Sequence, residues 1–110
     1  MSNWSSTVAA EADAIAAAVL ACPAVASLHG GALSELVTLL PGRRIAGVRL
    51  TEDRVHVGVV AAYGTPLILL TGQVRTAVGP VVGGRPVDVY IGDLQLPEDQ
   101  QLALPAGPSA

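Results

Sequence analysis

Two stretches of alternating side chains, residues 47–50 and 54–59, constrain the fold of this chain more than any other feature. Apolar residues occupy every second position in both stretches, and the polar residues 51–53 separate them. A period of two is typical of a strand with one buried face, and a short polar connection is typical of a β-hairpin. The pattern predicts an antiparallel hairpin with an apolar face formed by Val48, Leu50, Val55, Val57 and Val59. The open face then carries Arg49, Arg54 and His56.

The covered face of this hairpin needs helices, and the first candidate runs from Thr7 to Ala21. Its apolar residues recur at helical spacing, so that one face holds Val8, Ala12, Ile15 and Val19. Ser6 or Thr7 is the expected N-cap. The helix is expected to end at Cys22-Pro23, because a residue before proline avoids the helical conformation.

A second helix is predicted after residue 64, with Thr65 as its N-cap and Pro66 at its first position. Its apolar stripe has spacings of three and four residues and consists of Leu67, Leu70, Val74, Val78 and Val81. Pro80 is incompatible with a helix interior, so the helix is expected to tighten or end near Gly79.

Three further strands are predicted, at Val25 to Leu28, Leu36 to Leu40 and Val87 to Ile91. Gly30-Gly31 and Pro41-Gly42 mark the turns around the first two. From Gln95 onward the apolar periodicity ends. We therefore expect a tail at 1–6, one domain at 7–94 and a flexible tail at 95–110.

These elements predict an α+β fold. Two helices cover one face of a mainly antiparallel sheet, in a two-layer sandwich whose sheet contains the strands 46–50, 54–61 and 87–94. Without the two less certain strands, the order is α-β-β-α-β. This order resembles the ring-building motif of secretion and sporulation assemblies, and in part the KH modules that bind single-stranded nucleic acid. Neither glycine pair joins two helices as the GXXG loop of a KH domain does.

The composition and charge of the chain argue against several classes of protein. Apolar residues make up 51% of the chain but aromatic residues only 3%, so the core must be aliphatic. The net charge of −3 and the absence of lysine argue against nucleic-acid binding.

The uncharged stretch 14–34 is interrupted by Pro23 and Gly30-Gly31, which argues against insertion into a membrane. Met1 to Asp13 lacks the basic start of a secretory signal, and the chain is expected to be soluble and cytoplasmic.

Few residues of this chain are candidates for catalysis or for binding a metal or cofactor. A single cysteine excludes an internal disulfide and, with only two histidines, a zinc site of the Cys/His type. Cys22 is interpreted as a small buried apolar residue, His29 as a turn residue and His56 as a solvated surface residue. The glycine pairs lack the lysine and hydroxyl residues of a phosphate-binding loop. We predict no catalytic residue, no cofactor-binding residue and no metal ligand.

Several segments together resemble the alkaline shock protein family, whose members are also called envelope stress response proteins. The resemblance covers about residues 8 to 95, and the branch resembles small actinobacterial members. It is carried by residues 23–31, 40–48, 62–66, 73–75, Val78 and 87–91, in this order and spacing. After Pro66 the chain departs from the family pattern, because Leu67-Ile68-Leu69-Leu70 replaces a glutamate and small residues.

This resemblance implies a non-enzymatic cytoplasmic scaffold or binding protein associated with cell-envelope stress. Relatives are held at the inner face of the membrane by small membrane-protein partners, and some self-assemble, so a homo-oligomer is expected here. The alternatives are a small enzyme of unrecognised type and a KH-like nucleic-acid-binding module. A polar pocket containing Cys22 and a histidine would favour the enzyme, and a continuous arginine groove would favour nucleic acid.

The second helix provides the candidate partner-binding surface. If Leu67 and Leu70 point inward, Leu69 is turned by roughly 200° from Leu67, because each residue rotates by about 100°. The predicted surface comprises Ile68, Leu69, Gln73 and Thr76. The alternative is that the segment 25–40 folds over this face and makes it part of the core.

Overall fold

A computed structural model describes the backbone of residues 2–97 and the side chains of residues 7–97. Its elements, in chain order, are α1 (Ser2–Leu20), β1 (Val25–Leu28), β2 (Val37–Leu40), β3 (Arg43–Ala46), β4 (Val48–Leu50), β5 (Val55–Ala61), α2 (Leu67–Val78) and β6 (Val87–Leu94). A short 3₁₀ turn, Gly79–Val81, follows α2. The fold is α+β, as the sequence predicts.

Strand β5 is the centre of the main sheet. β6 pairs with it in parallel along one side, with Val57 opposite Val89. β4 and β1 share the other side, both antiparallel to β5. β4 covers the first half of β5 and β1 covers the second, so these two strands lie end to end along one edge.

The junction between β4 and β1 lies at Gly58. Its N–H donates to the Gly47 carbonyl at 2.9 Å, and its carbonyl accepts from the His29 N–H at 2.8 Å. A Cβ at this position would lie only 2.1 Å from the His29 carbonyl oxygen. The close approach of two backbone segments therefore requires glycine here.

A second hairpin, β2–β3, projects from this junction and pairs Val37 with Ala46 through Leu40 with Arg43. Its turn uses Gly42 at φ 77°, in the left-handed region that favours glycine. Thr38 Oγ1 donates to the Val48 carbonyl at 2.6 Å, and Arg43 forms an ion pair with Asp13 of α1 at 2.8 Å. The hairpin is thus attached both to β4 and to the first helix.

The core lies between the two helices and one face of the main sheet. It is aliphatic, as expected, and its fully buried large side chains are Ile15, Val19, Val48, Val55, Val57, Val59, Leu70, Val74 and Val78. Burying each such side chain contributes roughly 1.5–3 kcal/mol. The predicted inward positions of the helices are confirmed at Ala12, Ile15, Val19, Leu70, Val74 and Val78. Val81 is partly buried against this core, Val8 is half-buried and lies outside it, and Leu67 is exposed.

Several local predictions were wrong. Helix α1 begins at Ser2, so neither Ser6 nor Thr7 is its N-cap. The N-cap of α2 is Pro66 rather than Thr65, and no side chain caps that end. Leu67 is exposed because it occupies the first turn of α2, at the rim of the core.

The strand predictions also need two corrections. The residues of β3 pair with β2, although only the end of this segment was predicted to be strand. β6 is parallel to β5, because α2 connects them as a crossover that returns the chain to the start of the sheet. The sheet is nevertheless mainly antiparallel. The predicted end of α2 near Gly79 is confirmed.

Candidate partner-binding surface

In the first half of helix α2, the exposure of the side chains changes sharply from one residue to the next. Ile68 is 86% exposed and Leu69 52% exposed, whereas Leu70 is fully buried. Helix geometry explains this step, because Leu70 shares its face with Val74 and Val78 while its two predecessors are turned away from the core. Two adjacent large apolar side chains are therefore left in contact with solvent.

Contacts on both sides of α2 determine which part of the helix faces solvent. On one side, the Gln73 Oε1 accepts a hydrogen bond from the Ala24 N–H at 3.1 Å. On the other, the Arg75 Nε donates to the Val87 carbonyl at 3.2 Å. The helix therefore lies between the segment after α1 and the start of β6, with the Ile68–Thr76 side outward.

The structure places the four predicted surface residues as follows. Ile68, Leu69 and Thr76 are exposed on α2. Gln73 is only half-buried, and its side chain also holds α2 to the segment before β1. The alternative that residues 25–40 cover this surface was wrong, since β1 pairs with β5 and β2 pairs with β3.

The apolar surface extends beyond the predicted residues. At the start of α2, a groove of about 430 Å³ is lined by Tyr63, Leu67 and Leu94 among other residues, and these three side chains are themselves exposed. The groove is formed where the end of β5 and the end of β6 meet, as parallel strands require. Gln95 also lines the groove. Its N–H donates to the Ala61 carbonyl at 2.8 Å, and its Oε1 accepts from the Tyr63 N–H at 3.1 Å.

Sequence reasoning missed Tyr63 and Leu94 as members of this surface. Their proximity follows from the parallel pairing of β5 and β6, which a short alternating pattern does not reveal. We use the term α2 surface for Tyr63, Leu67, Ile68, Leu69 and Leu94.

Polar residues meet on the opposite, open face of the sheet. Arg54 Nη1 contacts the two carboxylate oxygens of Asp88 at 2.8 and 2.9 Å. His56 Nδ1 lies 3.2 Å from the Tyr90 hydroxyl and 3.6 Å from Asp88 Oδ2. The interpretation of His56 as a solvated residue was therefore wrong, because its side chain is largely covered by neighbours from β6. On this face the Arg54 guanidinium is thus paired with the Asp88 carboxylate.

Among the side chains of residues 7–97, no second reactive group lies beside Cys22 or His29 in the contacts that these two residues make. Cys22 is buried, and burial raises the pKa of its thiol. Its Sγ lies 3.5 Å from the Ala18 carbonyl and 3.6 Å from the Gln73 carbonyl. His29 Nδ1 accepts from the Gly31 N–H at 2.9 Å, which agrees with its prediction as a turn residue.

A second concave region lies between α1, β2 and β4 and has a volume of about 610 Å³. Its wall contains the ion pair between Glu11 and Arg85. Arg85 also donates to the carbonyls of Val82 and Thr51, at 2.9 and 3.2 Å. These contacts join α1, the β4–β5 turn and the start of β6, so the polar wall of this cleft holds three elements together.

Comparison with known proteins returned no matching family model, no matching curated protein and no matching solved structure. The resemblance to the alkaline shock proteins therefore rests on the sequence segments alone and stays a prediction. Within residues 2–97, neither helix has the length and apolar content needed to cross a bilayer.

Proposed function

We propose that this chain is a non-enzymatic, cytoplasmic binding module that holds a protein partner on its α2 surface. The observation that carries the proposal is the exposure of adjacent Ile68 and Leu69 beside the groove formed with Tyr63 and Leu94. Apolar surface of this kind is stabilised when a partner removes it from water, by roughly 1.5–3 kcal/mol for each large side chain that becomes fully buried.

The chemistry of the surface favours an apolar partner segment. Residues 62–74 contain no acidic or basic side chain, so the start of α2 offers no ion-pair partner to a charged peptide. The surface combines a groove with an exposed helix flank, which suits an amphipathic helix that places its apolar side against it.

The resemblance to envelope stress response proteins adds the cellular context of the proposal. In this account the partner is a small membrane protein, and its segment next to the bilayer supplies the apolar helix. The module is then peripheral, at the inner face of the membrane, and self-association arranges several copies there.

The test is site-specific photo-crosslinking in detergent-solubilised membranes of the native host. A photoreactive residue at position 69 is expected to crosslink a small membrane protein, and Leu69→Glu or Ile68→Glu is expected to abolish co-purification of that same protein. Both variants are expected to keep the wild-type circular dichroism spectrum, because the altered side chains are exposed.

Leu33 provides a matched control. It is 88% exposed, close to the 86% of Ile68 and above the 52% of Leu69, and lies outside the α2 surface, so Leu33→Glu introduces the same charge at another exposed site. The control is expected to retain the partner. Equal retention by Leu33→Glu and by both α2 variants would refute the proposal.

A further inference from the structure

The chain leaves the main sheet at the groove beside α2. Strand β6 ends at Leu94, and hydrogen bonds hold Gln95 beside the end of β5. Leu96 and Pro97 come next, and both are half-buried and line the groove. The residues that follow Pro97 are therefore tethered at the groove itself, next to the exposed side chains of the α2 surface.

The sequence after Pro97 matches the chemistry of this surface. Residues 100–110 contain no charged side chain, as is also true of residues 62–74 at the start of α2. Two large apolar residues, Leu102 and Leu104, stand there among small and polar ones. Such a segment can bring leucines onto an uncharged apolar surface without the cost of burying a charge.

We propose that residues 102–104 of the same chain, here called the leucine segment, occupy the α2 surface when no partner is bound there. Leu102 and Leu104 then cover Ile68 and Leu69, which are 86% and 52% exposed. The inference rests on the proposed function only for its consequence, which is that the leucine segment and the partner compete for one surface.

The tether favours this occupant over a second copy of the chain. Residues 98–102 span up to about 17 Å when extended, whereas a helix with its side chains is about 10–12 Å wide. The leucine segment can therefore reach the exposed side of α2 from the groove. A short flexible tether also gives it an effective concentration in roughly the millimolar range, which favours binding within one chain.

The occupied and free states of the surface are expected to be similarly populated. Burial of two leucines is favourable, but ordering the backbone of the segment costs free energy of similar size. With equal populations, removal of the segment raises the apparent affinity for a partner about twofold, because the surface is then always free. Twofold corresponds to about 0.4 kcal/mol, so the melting temperature is nearly unaffected by this contact.

Paramagnetic relaxation in the purified protein tests the contact without any partner. A nitroxide is attached to Ala106→Cys, two residues after Leu104. It is expected to broaden the NMR methyl signals of Ile68 and Leu69, since the occupied state brings it close to them. The thiol of Cys22 is buried and is expected to escape labelling.

The decisive comparison is between labelled chains with the same tether, because a tether alone brings the nitroxide near the groove. Leu102→Ser combined with Leu104→Ser is expected to reduce the broadening at Leu69 by more than half. Gln100→Ser combined with Gln101→Ser is the matched control and is expected to leave it unchanged. Equal broadening in all three labelled chains would overturn the inference.

A mixed sample identifies the chain that supplies the segment. Isotope-labelled protein without nitroxide is mixed with nitroxide-labelled protein of natural isotopic abundance. The methyl signals of Ile68 and Leu69 are expected to stay sharp, since each segment binds within its own chain. Specific broadening of these signals in the mixture would show that a second copy supplies the segment and would overturn the inference.

The inference and the proposed function fail separately. Truncation after Pro97 is expected to raise the affinity for the purified partner about twofold, and an unchanged affinity would overturn the competition. Capture of a partner at position 69, with broadening that does not depend on the leucines, would refute the segment contact alone. Broadening that depends on the leucines, without a captured partner, would refute the proposed function alone.

Discussion

The carbonyl oxygen of Gly58 accepts a hydrogen bond from the N–H of His29 at 2.8 Å, at the point where β5 changes its partner from β4 to β1. The Gly58 N–H simultaneously donates to Gly47, at the end of the projecting hairpin. One residue thus joins three segments that are distant in the sequence. The strand β5 is continuous, while the edge beside it is assembled from two separate pieces of chain.

Gly58→Ala tests this junction. The added methyl group would lie 2.1 Å from the His29 carbonyl oxygen and 2.8 Å from Leu36 Cδ1. The oxygen belongs to the backbone, so it can move away only if the chain itself shifts. We expect a loss of about 3 kcal/mol in the free energy of unfolding, measured by urea denaturation. Gly72→Ala is the control: it lies on exposed α2 with no atom within 4 Å of the added Cβ, so it should stabilise by about 1 kcal/mol. Equal effects would argue against a crowded junction.

The raised pKa of Cys22 leads to a prediction about its reactivity. Burial disfavours the thiolate, which is the reactive species, and the side chain is nearly inaccessible. At neutral pH, alkylation by iodoacetamide, followed by mass spectrometry, should be much slower in the folded protein than in urea. Comparable rates in both states would show that the segment after α1 opens readily.

Arg85 is expected to contribute more to stability than a typical surface arginine. It contacts Glu11 and donates to the carbonyls of Val82 and Thr51. Arg85→Ala should therefore lower the free energy of unfolding by about 1–3 kcal/mol. Arg44→Ala changes the net charge equally at an exposed position and should have little effect. Similar losses in both variants would point to net charge as the cause.

Truncation of the C-terminal segment is expected to affect the melting temperature differently at two positions. The sequence predicts that residues 95–110 add little to stability, and residues 98–110 lie outside the described range. Gln95, however, makes hydrogen bonds to Ala61 and Tyr63. Truncation after Pro97 should leave the melting temperature nearly unchanged, whereas truncation after Leu94 should lower it by several degrees, since each kcal/mol corresponds to about 4–8 °C. A large fall after the first truncation would show that residues 98–110 stabilise the domain.

The sequence was most informative where a pattern is local. Helix α2 and the β4–β5 hairpin follow from periodicity and from Pro66 and Pro80, whose effects act within a few residues. The cluster of His56, Asp88 and Tyr90 was not foreseen, because it depends on the pairing of two strands across a crossover. Sequence periodicity identifies the face on which each residue lies, but it does not specify which strand is the neighbour.

The α2 surface could likewise be predicted only in the part that depends on local sequence. Helix geometry predicts that Leu69 points outward and that Ile68 lies on its flank, and both side chains are exposed. Tyr63 and Leu94 could not be assigned to the same surface, since the end of β6 reaches the start of α2 only through the parallel register. The side-chain bond of Gln73 to Ala24 likewise depends on tertiary packing.

The most direct test of the account is co-purification of the membrane partner with Leu69→Glu and Leu33→Glu, compared at equal expression and with unfolding curves measured for both. We expect that Leu69→Glu loses the partner, that Leu33→Glu retains it and that both variants unfold like the wild type. Retention of the partner by a folded Leu69→Glu variant would contradict the assignment of the α2 surface as the binding site.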